Sequence, residues 1–497
     1  MQGAWAADEK VESTPLISTH IGGSSIISPM DANQIHSCQA TAQSGGMVTS
    51  LLPEEKASPK GKELDLEGAP TGRRRVMSAD LDVYESNAPE NGIGGTMFLL
   101  LNTMIGSGIL NQAQVFSEAG VIGTLLLYVA GGYTIHLGLE LLIKAGVRSA
   151  RLGFTELAHH AYGRRGDLLT DWTVILCNFG GLLSYFTVVG GQTCDILKDL
   201  VGASDGDSRW YTQEYAVLPV VVALAILPLC LTRRFGHFVY VSYLSISAIA
   251  AVVLCVLIAG PSEGKQYRSE PILWISVPGM AQKFGSVVFA IACAYAAFHA
   301  FVSLRPELQT VGQWDRVSSL AIVVGTLMCA VTGLAGYLCF RSSTSGDILD
   351  NFQGPNFYFF KVLLVTHLIL YIPLDFVVMR HSFCKVLGTD AIELPTGRYV
   401  VVTVGLLTFS LGVVMVLYYA GVSEGDAFGY ILDLTGGVGN AMLGFVLPGI
   451  FYARLNKDPG DPLLARARGL AGWGVCVMAA VSAATAAAWW SSSGSSE

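Results

Sequence analysis

A glycine–serine–glycine triplet interrupts the first long apolar segment of this chain. Gly106, Ser107 and Gly108 follow Asn102 and Ile105 within a stretch that is long enough to cross a bilayer. A membrane helix keeps its backbone hydrogen bonds within itself because lipid offers no partners, and glycine weakens a helix. A break at membrane depth is tolerated only where the freed backbone groups face protein or water. The triplet therefore predicts a broken helix of the kind that lines transport sites.

Composition places the chain among multi-span membrane proteins. Of its 497 residues, 52% are hydrophobic and 14% are charged, whereas about a quarter of the residues in a soluble domain are charged. Eleven segments are apolar enough and long enough to span a bilayer. We predict an all-α polytopic fold with about eleven transmembrane helices, at residues 93–115, 122–143, 172–197, 213–231, 237–259, 284–304, 319–341, 357–379, 398–420, 427–452 and 468–490.

The first ninety residues differ from the rest of the chain. They are rich in Ser, Gly, Pro, Glu and Lys and poor in aromatic residues, a composition that cannot bury enough surface to fold alone. We predict a disordered tail at residues 1–90, a transmembrane domain at 91–490 and a short tail at 491–497. Residues 12–17 match an acidic dileucine pattern read by sorting adaptors. Such matches also arise by chance, so both interpretations stay open.

Basic residues indicate the orientation in the membrane. Lys and Arg concentrate in alternate loops, such as the loop after the second span and the later loop that holds Arg233 and Arg234. The opposite loops hold fewer basic residues. Lys283 is counted among them. By the positive-inside rule we predict a cytoplasmic N-terminal tail. An odd number of spans then places residues 491–497 on the other side of the membrane.

Three motifs in order resemble one transporter family. Residues 103–110 read Thr-Met-Ile-Gly-Ser-Gly-Ile-Leu, residues 303–308 read Ser-Leu-Arg-Pro-Glu-Leu, and residues 436–440 read Gly-Gly-Val-Gly-Asn before an apolar run that ends at Tyr452. Together they resemble the amino acid/auxin permease family, and the resemblance covers roughly residues 90–490. Eleven spans is also the number typical of that family.

The resemblance implies both an architecture and an activity. The architecture is a five-plus-five inverted repeat with the eleventh helix at the periphery. The activity is secondary active transport of neutral or small polar amino acids by alternating access, driven by a proton or sodium gradient. No cofactor is implied beyond that coupling ion. The membrane would be a plasma membrane or one of vacuolar or lysosomal type.

One segment departs from the family pattern. After residue 110 the family usually has a small residue, an apolar residue, a proline and an aromatic residue. This chain has Asn111, Gln112, Ala113 and Gln114 instead. Three amide side chains make the outer part of the first span more polar. The family resemblance therefore predicts the fold of this chain better than its substrate.

The substrate-binding prediction centres on the first break. Backbone amides freed at Gly106, Ser107 and Gly108, beside Ile105, would meet the carboxylate of a bound amino acid. The alternative is that the small residues only allow close helix packing. Asn102 lies one turn earlier. It either binds the cation or the substrate through its amide oxygen, or it forms a hydrogen bond to a neighbouring helix.

The sixth and eighth spans supply further candidates. The sixth is rich in small residues before His299, and we predict a second break there, with His299 as a substrate or proton site. The alternative for His299 is a neutral, hydrogen-bonded core residue. Thr366 and His367 are predicted ion-coupling residues of the eighth span, although threonine in a membrane helix often bonds its own backbone. Asp375 is expected as a solvated or paired group at a cytoplasmic helix end.

Other classes of function fit less well. A membrane protein that senses an amino acid and signals through the N-terminal tail is the alternative to a transporter. An enzyme is not expected, because the sequence contains no HExxH or GxSxG motif and no carboxylate dyad of a membrane protease. Nothing in the charge pattern points to nucleic acid as a partner. The expected partners are an amino acid, the bilayer and, at the tail, sorting adaptors.

Overall fold

The computed structural model describes residues 91–104, 106–202, 210–232 and 238–493, without the side chains of 238–243 and 492–493. Three sequence-based predictions lie outside the described residues: the substrate role of Ile105, the disordered tail with its sorting pattern, and the basic pair Arg233 and Arg234. The structural statements below concern the described residues.

The described chain is almost entirely helical, because long apolar runs in lipid can satisfy their backbone groups only within a helix or a closed barrel. The fourteen helices are α1 (Ile93–Met104), α2 (Gln112–Ala119), α3 (Val121–Ser149), α4 (Phe154–Tyr162), α5 (Arg164–Val201), α6 (Glu214–Cys230), α7 (Phe238–Glu263), α8 (Val277–Ala290), α9 (Ala297–Ser303), α10 (Val311–Phe340), α11 (Tyr358–Val386), α12 (Thr396–Tyr419), α13 (Glu424–Leu455) and α14 (Pro462–Ser493).

These helices give ten candidate membrane spans and one shorter apolar helix. Nine units of the described chain are long and apolar enough to cross a bilayer, with α8 and α9 counted as one. The pair α1 and α2, bent by 66°, forms a tenth unit, and the shorter apolar helix α6 fits the predicted fourth span. The predicted all-α polytopic class is confirmed. Helix α4, which the sequence analysis did not predict, lies in the loop between the second and third spans.

The two broken spans are the first and the sixth, which are the first helices of the two predicted five-helix repeats. Helix α14 packs on α13 and on α8 at the outside of the bundle, as expected for an eleventh span. We call the membrane side on which α1 begins the near side, and the side on which α2 ends the far side. Asn91 and Ser303 meet on the near side through a backbone bond of 3.1 Å.

Glycines bring the far-side half of α8 into backbone contact with α13. A Cβ added at Gly285 would overlap the carbonyl oxygen of Asp433, and a Cβ added at Gly436 would overlap that of Gly285. Small residues allow this close approach in membranes, where packing replaces the hydrophobic effect as the force between helices. The far-side halves of these helices therefore form one tightly packed unit.

A buried charged side chain, Lys283, lies at the same contact between α8 and α13. The sequence analysis counted Lys283 as a loop residue, which is wrong: it lies in α8 and is 1% exposed. Its Nζ lies 3.1 Å from Oδ2 of Asp433, 3.3 Å from Oε1 of Glu118 and 3.3 Å from Oε1 of Gln114. An ammonium group has three donors, so the three acceptors satisfy it completely. Buried charge is tolerated here because it is paired and hydrogen-bonded.

The segment that departs from the family pattern contributes to the hydrogen bonds around Lys283. Asn111 donates from Nδ2 to Oε1 of Gln114 at 2.8 Å and to the carbonyl oxygen of Gly346 at 3.0 Å. Gln112 accepts from the hydroxyl of Tyr128 at 2.7 Å. The three amide side chains therefore tie α2 to α3, to α8 and to the loop after α10. They belong to the packing of the far side.

We expect Gly436→Ala to destabilise the protein, because its methyl group has no space against Gly285. Overpacking of this kind costs about 1–3 kcal/mol. Gly405→Ala on α12 is the matched control, since no atom lies within 4 Å of the added Cβ. Unfolding midpoints of the purified variants in detergent test this. Equal midpoints for the two variants would show that the close contact does not limit packing.

Lys283→Met should also be strongly destabilising, because it leaves Asp433, 0% exposed, without its counter-charge. Breaking a buried pair from one side costs about 3–5 kcal/mol, and adding Asp433→Asn should restore part of the loss. Lys144→Met is the control, because Lys144 pairs with Glu140 at a partly exposed position where an ion pair contributes about 1 kcal/mol or less. Thermal unfolding of the wild type and the three variants gives the comparison.

Candidate functional site

The first span breaks where the sequence places its glycine–serine–glycine triplet. Helix α1 ends at Met104, and α2 begins at Gln112 after a short 3₁₀ turn at Ser107–Ile109. Gly106 takes an extended conformation (φ −134°, ψ −148°) and starts that turn. The predicted break in the first span is therefore present, with backbone groups on both sides that no continuous helix satisfies.

The sixth span breaks without any glycine. Helix α8 ends at Ala290, a 3₁₀ turn covers Ala294–Ala296, and α9 starts at Ala297. Ile291 and Cys293 adopt φ −114° and −145°, which are ordinary values for any L residue. Because the turn requires no left-handed backbone, it needs no glycine. The second break expected from the small residues is confirmed.

The two breaks lie against each other. A Cβ added at Gly108 would come within 2.9 Å of the Cα of Ala290, so Gly108 is the point at which the broken spans touch. For this residue the packing interpretation accounts for the glycine. Ser107 is 0% exposed, and its Oγ lies 3.1 Å from Oγ of Ser184 on α5. Ser107 therefore anchors the break to the third span behind the cavity wall.

A cavity of about 570 Å³ lies beside the breaks and extends toward the near side. Asn91, before α1, and Gly153, between α3 and α4, belong to its near-side lining. Three predicted site residues line it together: Asn102, Gly106 and His299. The structure thus gathers residues of the first and sixth spans around one space, as the substrate-site prediction requires.

The predicted ion-coupling residues of the eighth span lie elsewhere. Thr366 is exposed on the outer surface of α11, and His367 is 1% exposed but does not line the cavity. The ring of His367 packs near Tyr371, with centroids 5.5 Å apart. Both residues lie within the apolar helix α11, but helical phase turns them away from the cavity in this conformation.

Asp375 is the site residue that the sequence analysis misread. It was expected as a solvated or paired group at a helix end, but α11 continues to Val386, which leaves Asp375 within the span and on the cavity wall. The hydroxyl of Tyr185 on α5 donates to its Oδ2 at 2.9 Å. The available signal was an acidic residue inside a long apolar segment, since such residues commonly mark transport pathways.

The charge of the cavity wall is unbalanced. Among the described residues that line the cavity, Asp375 is the one carboxylate, and none is Lys or Arg. Tyr185 connects this carboxylate to the first break, because its hydroxyl lies 3.8 Å from where a Cβ on Gly106 would stand. A carboxylate within a membrane span, in a cavity whose described lining has no Lys or Arg, favours a cation or a proton.

Comparisons with known proteins identify the family to which the chain belongs. The sequence profile of the family described as transmembrane amino acid transporter protein matches residues 91–490. Vacuolar amino acid transporter 2 of Saccharomyces cerevisiae is 22% identical over 74% of this chain and 77% of its own length. Sodium-coupled neutral amino acid transporter 7 of Bos taurus is 26% identical over 56% of this chain and 64% of its own length.

Among solved structures, a manganese transporter of Eremococcus coleocola is similar at 13% identity, with a TM-score of 0.48, over 81% of this chain and 89% of that chain. The family profile covers most of the chain, including both broken spans and the cavity between them. It confirms the family resemblance drawn from the three motifs. The chain belongs to the transmembrane amino acid transporter family and is a multi-pass membrane transporter protein, not an enzyme.

Proposed function

We propose that this chain moves neutral or small polar amino acids across a membrane by alternating access, coupled to a proton or a sodium ion. The substrate would bind in the cavity beside the two helix breaks. The coupling cation would bind at Asp375. The single observation that carries the proposal is the placement of this carboxylate and the break at Gly106 on one cavity wall.

The breaks suit the two charged ends of an amino acid. Helix N-termini carry partial positive charge and unsatisfied N–H groups, which attract a carboxylate. The turn that starts after Gly106 offers such groups beside the cavity. Carbonyl oxygens at the end of α1 carry the opposite partial charge and suit an ammonium group. Asn102, one turn before the break, adds an amide side chain on the same wall.

The rest of the wall favours a neutral side chain on the substrate. Apolar residues such as Ile135, Val288 and Phe289 line the cavity beside a few amides and hydroxyls. An acidic substrate side chain would find no Lys or Arg among the described lining residues. The names of the two relatives support an amino acid substrate: one is a vacuolar amino acid transporter, and the other is a sodium-coupled neutral amino acid transporter.

Asp375 is our candidate for coupling. An ionised carboxylate in a low-dielectric wall gains much from a bound cation, and Tyr185 holds one of its oxygens in place. A proton and a sodium ion would neutralise it equally in charge, although only sodium needs several oxygen ligands. His299, on the same cavity wall, is the second titratable group that a coupled proton could use.

The orientation belongs to the proposal as well. The alternation of basic loops supports a cytoplasmic near side and therefore a cytoplasmic N-terminal tail. The far side would then face the cell exterior or an organelle lumen.

Uptake into proteoliposomes tests transport directly. A panel of labelled amino acids is offered with an imposed sodium gradient and then with an imposed pH gradient. We expect neutral amino acids to accumulate above the level in empty liposomes, and only one gradient to drive them. Uptake that never exceeds empty liposomes, for any amino acid under either gradient, would refute the function.

Asp375→Asn should remove the dependence of uptake on the driving cation, because the amide carries no charge to attract it. We expect gradient-driven uptake to fall by more than about tenfold, the loss that about 1.4 kcal/mol of binding free energy produces. Glu307→Gln is the control, since Glu307 is 66% exposed at the near side and should keep wild-type coupling.

His299→Gln separates the two titratable groups. If Asp375 carries the coupling cation, the His299 variant keeps its cation dependence while its apparent substrate affinity changes. Loss of proton dependence in His299→Gln, together with normal dependence in Asp375→Asn, would move the coupling site to His299.

A further inference from the structure

The loop between α10 and α11 is folded into the protein. We call residues 344–354 the lid. Its short 3₁₀ turn, Ile348–Asn351, inserts apolar side chains into the bundle, and Ile348, Leu349 and Phe352 are each 0% exposed. A surface loop that buries three large apolar residues is held in a defined position, because releasing it would expose that area to water.

The lid is attached to the first break. The backbone N–H of Ile348 donates to the carbonyl oxygen of Leu110 at 3.2 Å, and Asn111 donates to the carbonyl oxygen of Gly346 at 3.0 Å. A Cβ added at Gly346 would overlap the backbone of Gly425, at the start of α13. The lid therefore joins the outer half of the first span to the tenth span on the far side of the substrate cavity.

Two carboxyl groups of the lid share one donor. Nε2 of Gln192, on α5, lies 2.9 Å from Oδ2 of Asp347 and 2.6 Å from Oδ1 of Asp350. Gln192 is 0% exposed, and its Oε1 has no hydrogen-bond partner among the described residues. That unpartnered acceptor belongs to the same side-chain amide whose Nε2 contacts both carboxyl groups. Asp347 is 1% exposed, whereas Asp350 is partly exposed to far-side water.

The charged groups around Asp347 and Asp350 do not neutralise the two carboxyl groups. The titratable groups around it come from five other spans, and carboxyl groups outnumber ammonium groups among them. Lys361 binds Oδ2 of Asp195 at 2.7 Å rather than either lid carboxyl. The facing groups are Cys194, Asp195 and Lys198 on α5, Glu214 on α6, Lys361 on α11, Tyr418 on α12 and Glu424 on α13.

We propose that Asp347 and Asp350 form a proton-binding site in the lid, and that protons from the far side hold the lid closed over the substrate site. This site is separate from Asp375 and binds a proton without carrying it across the membrane. The inference rests on the proposed function in one respect only: a lid that opens and closes has its purpose in alternating access.

The direction of the effect follows from proton linkage. Burial raises the pKa of Asp347 to about 6, and burial together with the charge of Asp347 raises the pKa of Asp350 well above its usual range. A solvated Asp has a pKa of about 3.9, so the closed lid binds more protons than the open lid. Low pH therefore favours closure, and the closed state loses stability as the pH rises through about 6.

Hydrogen–deuterium exchange of the purified full-length protein in nanodiscs measures lid opening without transport. After correction for the intrinsic rate, we expect exchange at residues 344–354 to rise about tenfold between pH 5 and pH 7 for each carboxyl that titrates with the lid. In Asp347→Asn/Asp350→Asn the neutral amides imitate the protonated pair, so lid exchange should stay slow and independent of pH.

The matched control is Asp199→Asn, an exposed carboxyl further along α5, which should keep the wild-type transition. Gln192→Leu covers the case in which the double variant does not fold. It removes a donor that lowers the pKa of Asp347, so the transition should move to higher pH. The same corrected pH response in wild type and double variant, or an unmoved transition in Gln192→Leu, would overturn the inference.

Uptake assays keep this inference separate from the proposed function. If no amino acid is transported but lid exchange follows the expected pH response, the proton site stands and the transport proposal fails. If transport occurs while lid exchange is independent of pH in wild type, transport stands and the proton site fails.

Discussion

The backbone's demand for hydrogen bonds inside a bilayer is the constraint on which this structure depends. A continuous helix meets the demand by itself, but the spans interrupted near Gly106 and Cys293 do not. Each broken span must place its loose ends against protein or in a cavity. The fold satisfies this by setting the two breaks side by side, with Gly108 touching Ala290. The cavity beside them follows from that arrangement.

The helices pack closely on the far side, whereas the first and sixth spans are interrupted in their middle. Lys283 satisfies all three of its donors from α2 and α13, and glycines bring α8 and α13 into backbone contact. The lid adds a further attachment through Asn111. The near side differs, because the cavity extends there from the breaks to Asn91. A cavity that extends from the breaks toward the near side fits the alternating access that we propose.

Much of the fold was predictable because lipid permits few solutions. Apolar length gave the spans, including the short α6, and the triplet at residues 106–108 gave the first break. Residue roles were less predictable. Thr366 and Asp375 occupy the same helix, yet Thr366 lies on its outer surface and Asp375 on the cavity wall. The phase of a helix that is apolar on all sides cannot be read from its own sequence, because periodicity carries no signal there.

The sequence by itself determined that this chain is a multi-span helical membrane protein with a weakened first helix, since composition and glycine placement act locally. Its three motifs indicated the transporter family by resemblance. Only the tertiary structure decided which polar side chains meet. Gln192 and Asp347, far apart along the chain, come within 2.9 Å, and Lys283 with Asp433 within 3.1 Å. A buried polar group must find a partner, but which partner it finds depends on how distant helices pack.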